Sequence, residues 1–305
     1  IDRSCKYAFL GYVPDETKFD YVIMSPGVSP ELEFVKKAEQ AGAELIGELE
    51  LAYRLCKGIF VAITGTNGKT TTTSLVGEIF ERSKRKTSVV GNIGKAVIGA
   101  AIDATKDDWL VTEVSSFQLE TTREFRPLVS AILNLTPDHL NRHHTMEAYG
   151  AAKAKIFANQ SKDQYLIINY DDKLCFDLAK DAECTVVPFS RKSKLDYGVI
   201  LENNKIYVND KDNKVYICDK GDIRIIGDHN VENVLAAVGI CYFAGIDKEV
   251  IAEGIRNFGG VEHRIEFCAE IRGVKYYNDS KGTNVDASLT ALRAIKENII
   301  LIAGG

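Results

Sequence analysis

Residues Ile63-Thr64-Gly65-Thr66-Asn67-Gly68-Lys69-Thr70-Thr71-Thr72 leave the chain few folds to choose from. The apolar run Ile59-Phe60-Val61-Ala62-Ile63 leads into them, and Ser74–Phe80 follows with apolar residues at helical spacing. Strand, glycine-containing turn and helix in that order make a phosphate cradle. The glycines let the backbone come close, N–H groups at the helix start point at the anion, and Lys69 adds a positive charge. Thr70 is placed to offer its hydroxyl to a Mg²⁺ ion bridging the phosphates. The common spacing of such loops requires a glycine where Ile63 stands, so this is a variant shortened at its front end. The segment predicts a site for a nucleoside triphosphate.

From Ile59 to Asn169 strand and helix patterns alternate. The spacing predicts strands over 59–63, 109–113, 129–135 and 165–169, with helices near 70–81, 94–104 and 145–158. Such alternation signals an α/β fold: a central, mostly parallel sheet wrapped by helices, with its ligand at the carboxyl ends of the strands. Five short β-branched runs follow, at 186–190, 197–201, 205–208, 215–218 and 223–226, separated by Asn, Asp, Gly and Lys turns. They predict a small antiparallel meander at one edge of the sheet. Helical patterns return at 231–243 and 248–257. Beyond Gly259-Gly260 a hairpin over 264–271 and 274–278, a helix near 286–297 and a buried strand over Ile299–Ala303 are expected. The chain begins at Ile1 without a methionine, and its last strand runs straight into Gly304-Gly305, so both ends are expected to be cut.

A net charge of −5 and a pI near 5.7 argue against a nucleic-acid partner. The 7 cysteines lie far apart without a C-x-x-C pair, the pattern of reduced thiols in a cytoplasmic protein. No apolar stretch approaches the roughly 18 residues of a membrane span, so no membrane association is expected.

Other segments carry chemistry-bearing side chains. The strand Trp109–Glu113 ends in a carboxylate on the edge that carries the phosphate loop, where acidic residues hold Mg²⁺. Asn134-Leu135-Thr136-Pro137-Asp138-His139-Leu140-Asn141-Arg142-His143-His144 gathers 3 of the chain's 5 histidines. A zinc hydrolase built on Asp138, His139, His143 and His144 is one reading. No cysteine accompanies them, however, and adjacent histidines do not easily face one ion. His139 is therefore preferred as the site residue, with His143 and His144 as solvated loop residues. Asn230 and Asn233 fall on one face of a helix start, where amides read a base or ribose or, alternatively, cap the helix. Arg264 lies where it can reach phosphates. Tyr277-Asn278-Asp279-Ser280-Lys281-Gly282-Thr283-Asn284 reads as a second anion cradle.

Together, Thr64–Thr71, Thr112-Glu113-Val114-Ser115-Ser116-Phe117-Gln118-Leu119-Glu120, Leu133–His139 and Asn278–Asn284 make this chain resemble the Mur ligase family of cell-wall peptide ligases. The resemblance runs from Ser25-Pro26-Gly27-Val28 to the terminal glycines. It implies partial Rossmann-like domains flanking a central domain with a P-loop-type ATP site. The divisions are 1–50 (UDP-binding), 51–260 (ATP-binding) and 261–305 (amino acid and ATP). It implies a magnesium-dependent ligase that adds D-glutamate to UDP-N-acetylmuramoyl-L-alanine in peptidoglycan synthesis, and so in cell-wall biogenesis, cell shape and cell division. A carboxylate is a poor acyl donor, so the family first phosphorylates it with ATP and then lets the amine displace phosphate.

The resemblance also assigns residues. Lys69, Lys153 and His139 would be catalytic. Thr70, Glu113, His139 and Lys153, the last as a carbamate, would hold two Mg²⁺ ions. Gly65 to Thr71 with Asn230, Asn233, Arg264 and Asp279 would bind ATP. Ser25, Pro26 and Gly27 would line the uracil pocket, and Asn92, Ser115 and Gln118 would contact the muramoyl part. Lys281 and Thr283 would receive the D-glutamate carboxylate. A cytoplasmic monomer acting on small molecules is expected. Another Mur-type or folylpolyglutamate-type ligase, or a non-catalytic ATP-binding module, remain the alternatives. Because the family extends beyond both ends of this chain, binding of ATP without ligation is expected of it.

Overall fold

A computed structural model describes residues 19–211, 213–282, 285–295 and 298–304. The first strand, β1 (Tyr21–Met24), pairs in parallel with β2 (Glu44–Gly47). Between them α1 (Glu33–Gln40) buries Val35 and Ala38, and α2 (Glu48–Leu55) leads away. Next come β3 (Ile59–Thr64), α3 (Lys69–Arg82), β4 (Thr87–Gly91), α4 (Val97–Ala101), β5 (Trp109–Glu113) and α5 (Ser116–Glu120). They are followed by β6 (Val129–Ile132), α6 (Leu140–His143), α7 (Met146–Ala154), β7 (Tyr165–Asn169), α8 (Lys173–Asp177) and β8 (Thr185–Ser190). Three more strands, β9 (Gly198–Glu202), β10 (Lys205–Asp210) and β11 (Asn213–Asp219), precede α9 (Asp228–Phe243) and α10 (Lys248–Asn257). A hairpin of β12 (Glu266–Ile271) and β13 (Val274–Asn278), then α11 (Val285–Ala294), complete the described elements.

Among the described residues the large sheet has 9 strands in the order β11-β10-β9-β8-β7-β6-β3-β5-β4. Every pairing from β9 to β4 is parallel, and only β9-β10-β11 is an antiparallel meander. Strand residues alternate between two apolar layers, as a pleat requires. Val61 and Ile63 of β3 pack with α3, α9 and α10, whereas Phe60 and Ala62 pack with α2, α4 and residues of α7 and α8. A strand covered on both faces is predominantly apolar, which is why β3 and β7 read as near-continuous hydrophobic runs, while the buried Ser130 hydroxyl of β6 donates to Gln160. Helix α9 crosses under β6 to β9 and is buried from Val234 to Cys241, so it too is apolar all round.

Several expectations need correction. Residues 186–190 belong to the parallel array as β8, because a β-branched run looks the same whichever way its neighbour runs. Residues 223–226 form no strand; Ile223 and Ile225 are held by side-chain packing on the core instead of by a ladder. The helix over 94–104 shrinks to the five residues of α4, and the strand over 129–135 ends at Ile132. Ile299–Ala303 is not a buried strand: it pairs with nothing described, and Ile300 and Ile302 are 91% and 93% exposed. A strand needs a neighbour to satisfy its backbone, and none of the described sheets offers one there. Among the described residues no helix is long and apolar enough to cross a membrane.

Candidate functional site

The ends of three parallel strands stand level. Ile63 of β3 and Gly91 of β4 both lie opposite Glu113 of β5. The loop after β3 is braced from β6. Thr66 N donates to the Asn134 carbonyl (3.2 Å), Asn67 N donates to Asn134 Oδ1 (2.8 Å), and Asn134 Nδ2 donates back to the Asn67 carbonyl (3.0 Å). Thr66 Oγ1 donates to the Thr136 carbonyl (3.1 Å) and lies 3.3 Å from the Tyr149 hydroxyl, which burial pushes up to about 12. Gly68 starts α3 in the left-handed region (φ 83°), and a Cβ there would run into the Asn233 side chain. Glycine is required on both counts.

Two lysines, Lys153 buried and Lys69 half-buried, converge on one carbonyl. Lys69 Nζ donates to the Gly65 and Thr66 carbonyls (2.9 and 2.8 Å), and Lys153 Nζ donates to the same Gly65 carbonyl (2.9 Å). Lys153, at 1% exposure, also lies over the Tyr149 ring at 4.6 Å. It is no surface lysine, the reading its sequence context alone invites. Burial, helped by the neighbouring Lys69 ammonium, holds the Lys153 amine well below its ordinary value. Burial lowers Lys69 too, with Glu113 opposing.

Glu113 is buried, and its Oε1 accepts from Asn92 Nδ2 (2.9 Å). Its Oε2 has no hydrogen-bond partner among the described residues. A buried carboxylate oxygen without a donor fits a cation. It borders a cavity of about 270 Å³ also lined by Lys69, Thr70, Asp138, His139 and Lys281. His139 stands at the start of α6 in the left-handed region (φ 54°), its ring 4.8 Å from that of Phe117. These donors are oxygen-rich, with a single imidazole, and suit Mg²⁺. No cluster of three or more His, Cys, Asp or Glu side chains arranged for a metal occurs among the described residues, which leaves a zinc hydrolase on 138–144 without support.

On the other side of the loop a cavity of about 280 Å³ is lined by Gly68, Thr71, Asn230, Asn233, Arg264 and Asp279, among others. Asn230 does not cap α9, which begins after Gly227. Its Nδ2 donates back to the Ile226 carbonyl (2.7 Å), and its Oδ1 accepts from Asn233 (3.0 Å). Asp279 Oδ1 accepts from Ile265 N (3.1 Å), fixing the turn that carries Arg264.

Other residues depart from expectation. His143 is buried, not solvated, with Nε2 2.9 Å from Ser116 Oγ and Nδ1 3.5 Å from Glu120. Its partners are distant in sequence, so nothing local announces this. Ser115 and Gln118 form the capping box of α5. Ser25, Pro26 and Gln118 line a cleft of about 10 Å³ beside Phe117 and Arg142, whereas Gly27 is not among its lining residues and faces open space. Thr283 lies outside the described residues. Tyr149 and Arg142 were missed by sequence reasoning; only their place in the motif-bearing segments points to them.

Fold and cavities define a mostly parallel α/β protein whose glycine-containing loop after β3 lies between two cavities, one of them bordered by the unpartnered Glu113 oxygen. Residues 63–241 match the Mur ligase middle domain. The chain belongs to the Mur ligase family, whose members use ATP and Mg²⁺. It is 52% identical over 286 residues to the UDP-N-acetylmuramoylalanine–D-glutamate ligase of Thermoanaerobacter sp. (strain X514), covering 94% of this chain and 63% of that protein. It is 52% identical over 305 residues to the ligase of the same name from Clostridioides difficile (strain 630), covering 99% and 67%. The chain thus spans a little under two thirds of the length of the first of these relatives. Among solved structures, MurF from Acinetobacter baumannii superposes with a TM-score of 0.64 at 17% identity, covering 87% of this chain and 65% of that one. A pseudomurein peptide ligase type C from Methanothermus fervidus gives 0.60 at 20%, covering 90% and 64%. These two share the fold.

Proposed function

We propose that this chain is the ATP-binding core of an ATP-dependent ligase that joins D-glutamate to UDP-N-acetylmuramoyl-L-alanine in peptidoglycan synthesis, a cytoplasmic monomer acting on small molecules. The observation that carries the chemistry is the buried Glu113 oxygen standing without a donor beside Lys69 and Thr70. The choice of substrates rests on relatives 52% identical. Residues 1–50 would serve the UDP end, 51–260 ATP, and 261–305 the amino acid. The separate β1-β2 and β12-β13 sheets, which precede and follow the large one along the chain, support that division.

In this reading Gly65 to Thr71 cradle the triphosphate, while Asn230, Asn233, Arg264 and Asp279 surround the rest of ATP. Lys69 needs only to swing its ammonium off the Gly65 and Thr66 carbonyls to meet the phosphates. Thr70, Glu113, His139 and a carbamylated Lys153 would hold two Mg²⁺ ions, which when bound neutralise charge during transfer of the γ-phosphoryl group. Lys153 is suited to carbamylation because burial favours its unprotonated amine: nitrogen bonds to the carbon of CO₂, a proton leaves, and the product is an anion beside Lys69 instead of a second cation. Ser25, Pro26 and Gly27 would meet the uracil end, Asn92, Ser115 and Gln118 the muramoyl part, and Lys281 and Thr283 the D-glutamate carboxylate. The substrate carboxylate takes the phosphoryl group, the D-glutamate amine attacks the acyl phosphate, and phosphate departs. No protein nucleophile is needed.

Thermal melting with and without Mg-ATP tests the core: the melting point should rise for the parent and not for Lys69→Ala. Phosphate release by a protein of the relatives' full length should require both D-glutamate and the UDP substrate. Equal release with another amino acid would overturn the assigned acceptor.

A further inference from the structure

Arg142 sits where the amino-terminal segment meets the large sheet. Its Nη1 donates to the Pro26 carbonyl (2.9 Å) and its Nη2 to the Val28 carbonyl (3.3 Å), while Nη2 and Nε also reach the two Glu120 oxygens (2.6 and 3.3 Å). The guanidinium lies 4.3 Å from the centre of the Phe117 ring, whose other neighbours are the rings of His139 (4.8 Å) and His143 (5.5 Å). One side chain therefore touches three parts: the 25–28 loop, α5 through Glu120 and Phe117, and α6, on which it rides three residues beyond His139. Its neighbour His143 fastens α6 to α5 a second time through Ser116.

The planar fork of arginine suits this place. It binds a carboxylate on one edge and two carbonyls on another while stacking on an aromatic face. A lysine keeps the charge but cannot reach all these acceptors at once. Ser25, Pro26 and Val28 border the cleft that Phe117, Gln118 and Arg142 close from the other side.

We propose that Arg142 is a positioning residue: it latches the 25–28 loop onto α5 and α6, so that binding of the uridine-nucleotide end of the substrate depends on it while the ATP cradle does not. The latch follows from contacts alone; its link to a uridine nucleotide rests on the function proposed above.

Two measurements on Arg142→Lys, in the intact chain, separate these parts. Hydrogen exchange of the 25–32 segment should quicken about tenfold or more, as expected for the loss of charge-assisted bonds to two carbonyls. The 65–72 loop should keep its parent exchange rates, and the Mg-ATP melting shift should persist, which also shows that the variant folds. Unchanged exchange at 25–32 overturns the latch. Titration with UDP-N-acetylmuramoyl-L-alanine should then show affinity weakened about tenfold for the variant, with ATP affinity held. Parent-like affinity overturns the role in substrate binding. Quickened exchange in a chain whose parent form does not bind the UDP compound upholds the latch and overturns the nucleotide assignment instead. A structural role alone would weaken both ligands together.

Discussion

Glu50 offers the sharpest test of how the strand ends are held. This carboxylate of α2 is fully buried and accepts from the backbone N–H groups of Arg123 (3.0 Å), Glu124 (2.9 Å) and Phe125 (3.1 Å), and from Arg54 Nε (2.9 Å). It organises the turn that feeds β6, the strand whose continuation braces the phosphate loop through Asn134. In Glu50→Ala, water can reach the N–H groups of exposed Arg123 and Glu124, but that of Phe125 is stranded in the core. A stranded donor costs about 1–3 kcal/mol, and each bond to a charged acceptor is worth about 1.5–3 kcal/mol. Arg54 retains Glu44 and Glu124, so its loss is partial. The expected total is about 4 kcal/mol. At roughly 2 °C per kcal/mol for a chain of this size, the melting point should fall about 8 °C. Glu50→Gln keeps the shape and one oxygen but turns an NH₂ toward donors, and should cost about half as much. Calorimetry and urea unfolding measure both. A Glu50→Ala chain melting within about 2 °C of the parent would refute the brace.

Gly68→Ala should lose about 1–2 kcal/mol, because alanine is strained at φ 83° and its Cβ displaces Asn233 from Asn230; the Mg-ATP melting shift should vanish with it. Glu113→Gln removes a buried charge with an unmatched oxygen. The ligand-free melting point should hold or rise, while the Mg²⁺-dependent part of the ATP shift disappears on comparison with ATP and EDTA. Lys153 has a folded pKa below its unfolded one, so the unfolded chain binds the extra proton between the two. Stability should therefore climb with pH from the lowered folded value up to about 10, and Lys153→Met should flatten that part of the profile relative to the parent. Labelled bicarbonate should yield a carbamate resonance in the parent that Lys153→Met lacks.

How much of this was legible in the sequence follows from the range of each signal. The order strand, loop, helix at 59–82 needs only neighbours, and it is found as expected. The five-residue helices α4, α5 and α8 are too short for periodicity to register, and β4 is a brief run whose residues are only half-buried before Val90. Strand direction at 185–190 depends on which strand lies beside it, something a β-branched run does not encode. The burial of Lys153 and His143 is made by groups 88 and 27 residues away. A polar residue reads as exposed until its distant partner is known. Resemblance drew attention to Lys153 where pattern could not; only its place in the 134–144 segment points to Arg142.

The level strand ends have a consequence for how the site comes into being. The phosphate loop hangs from β3, the carboxylate from β5 and the brace from β6, and each reaches its place only through pairing across long stretches of sequence, 63 with 113 and 63 with 131. Non-local pairings are the slow ones to form. No local fragment of the chain carries the constellation, and a slip of one residue would turn Glu113 to the opposite face of the sheet. Nucleotide affinity should therefore emerge late in refolding, in step with closure of the central strands, and can serve as a clock for it.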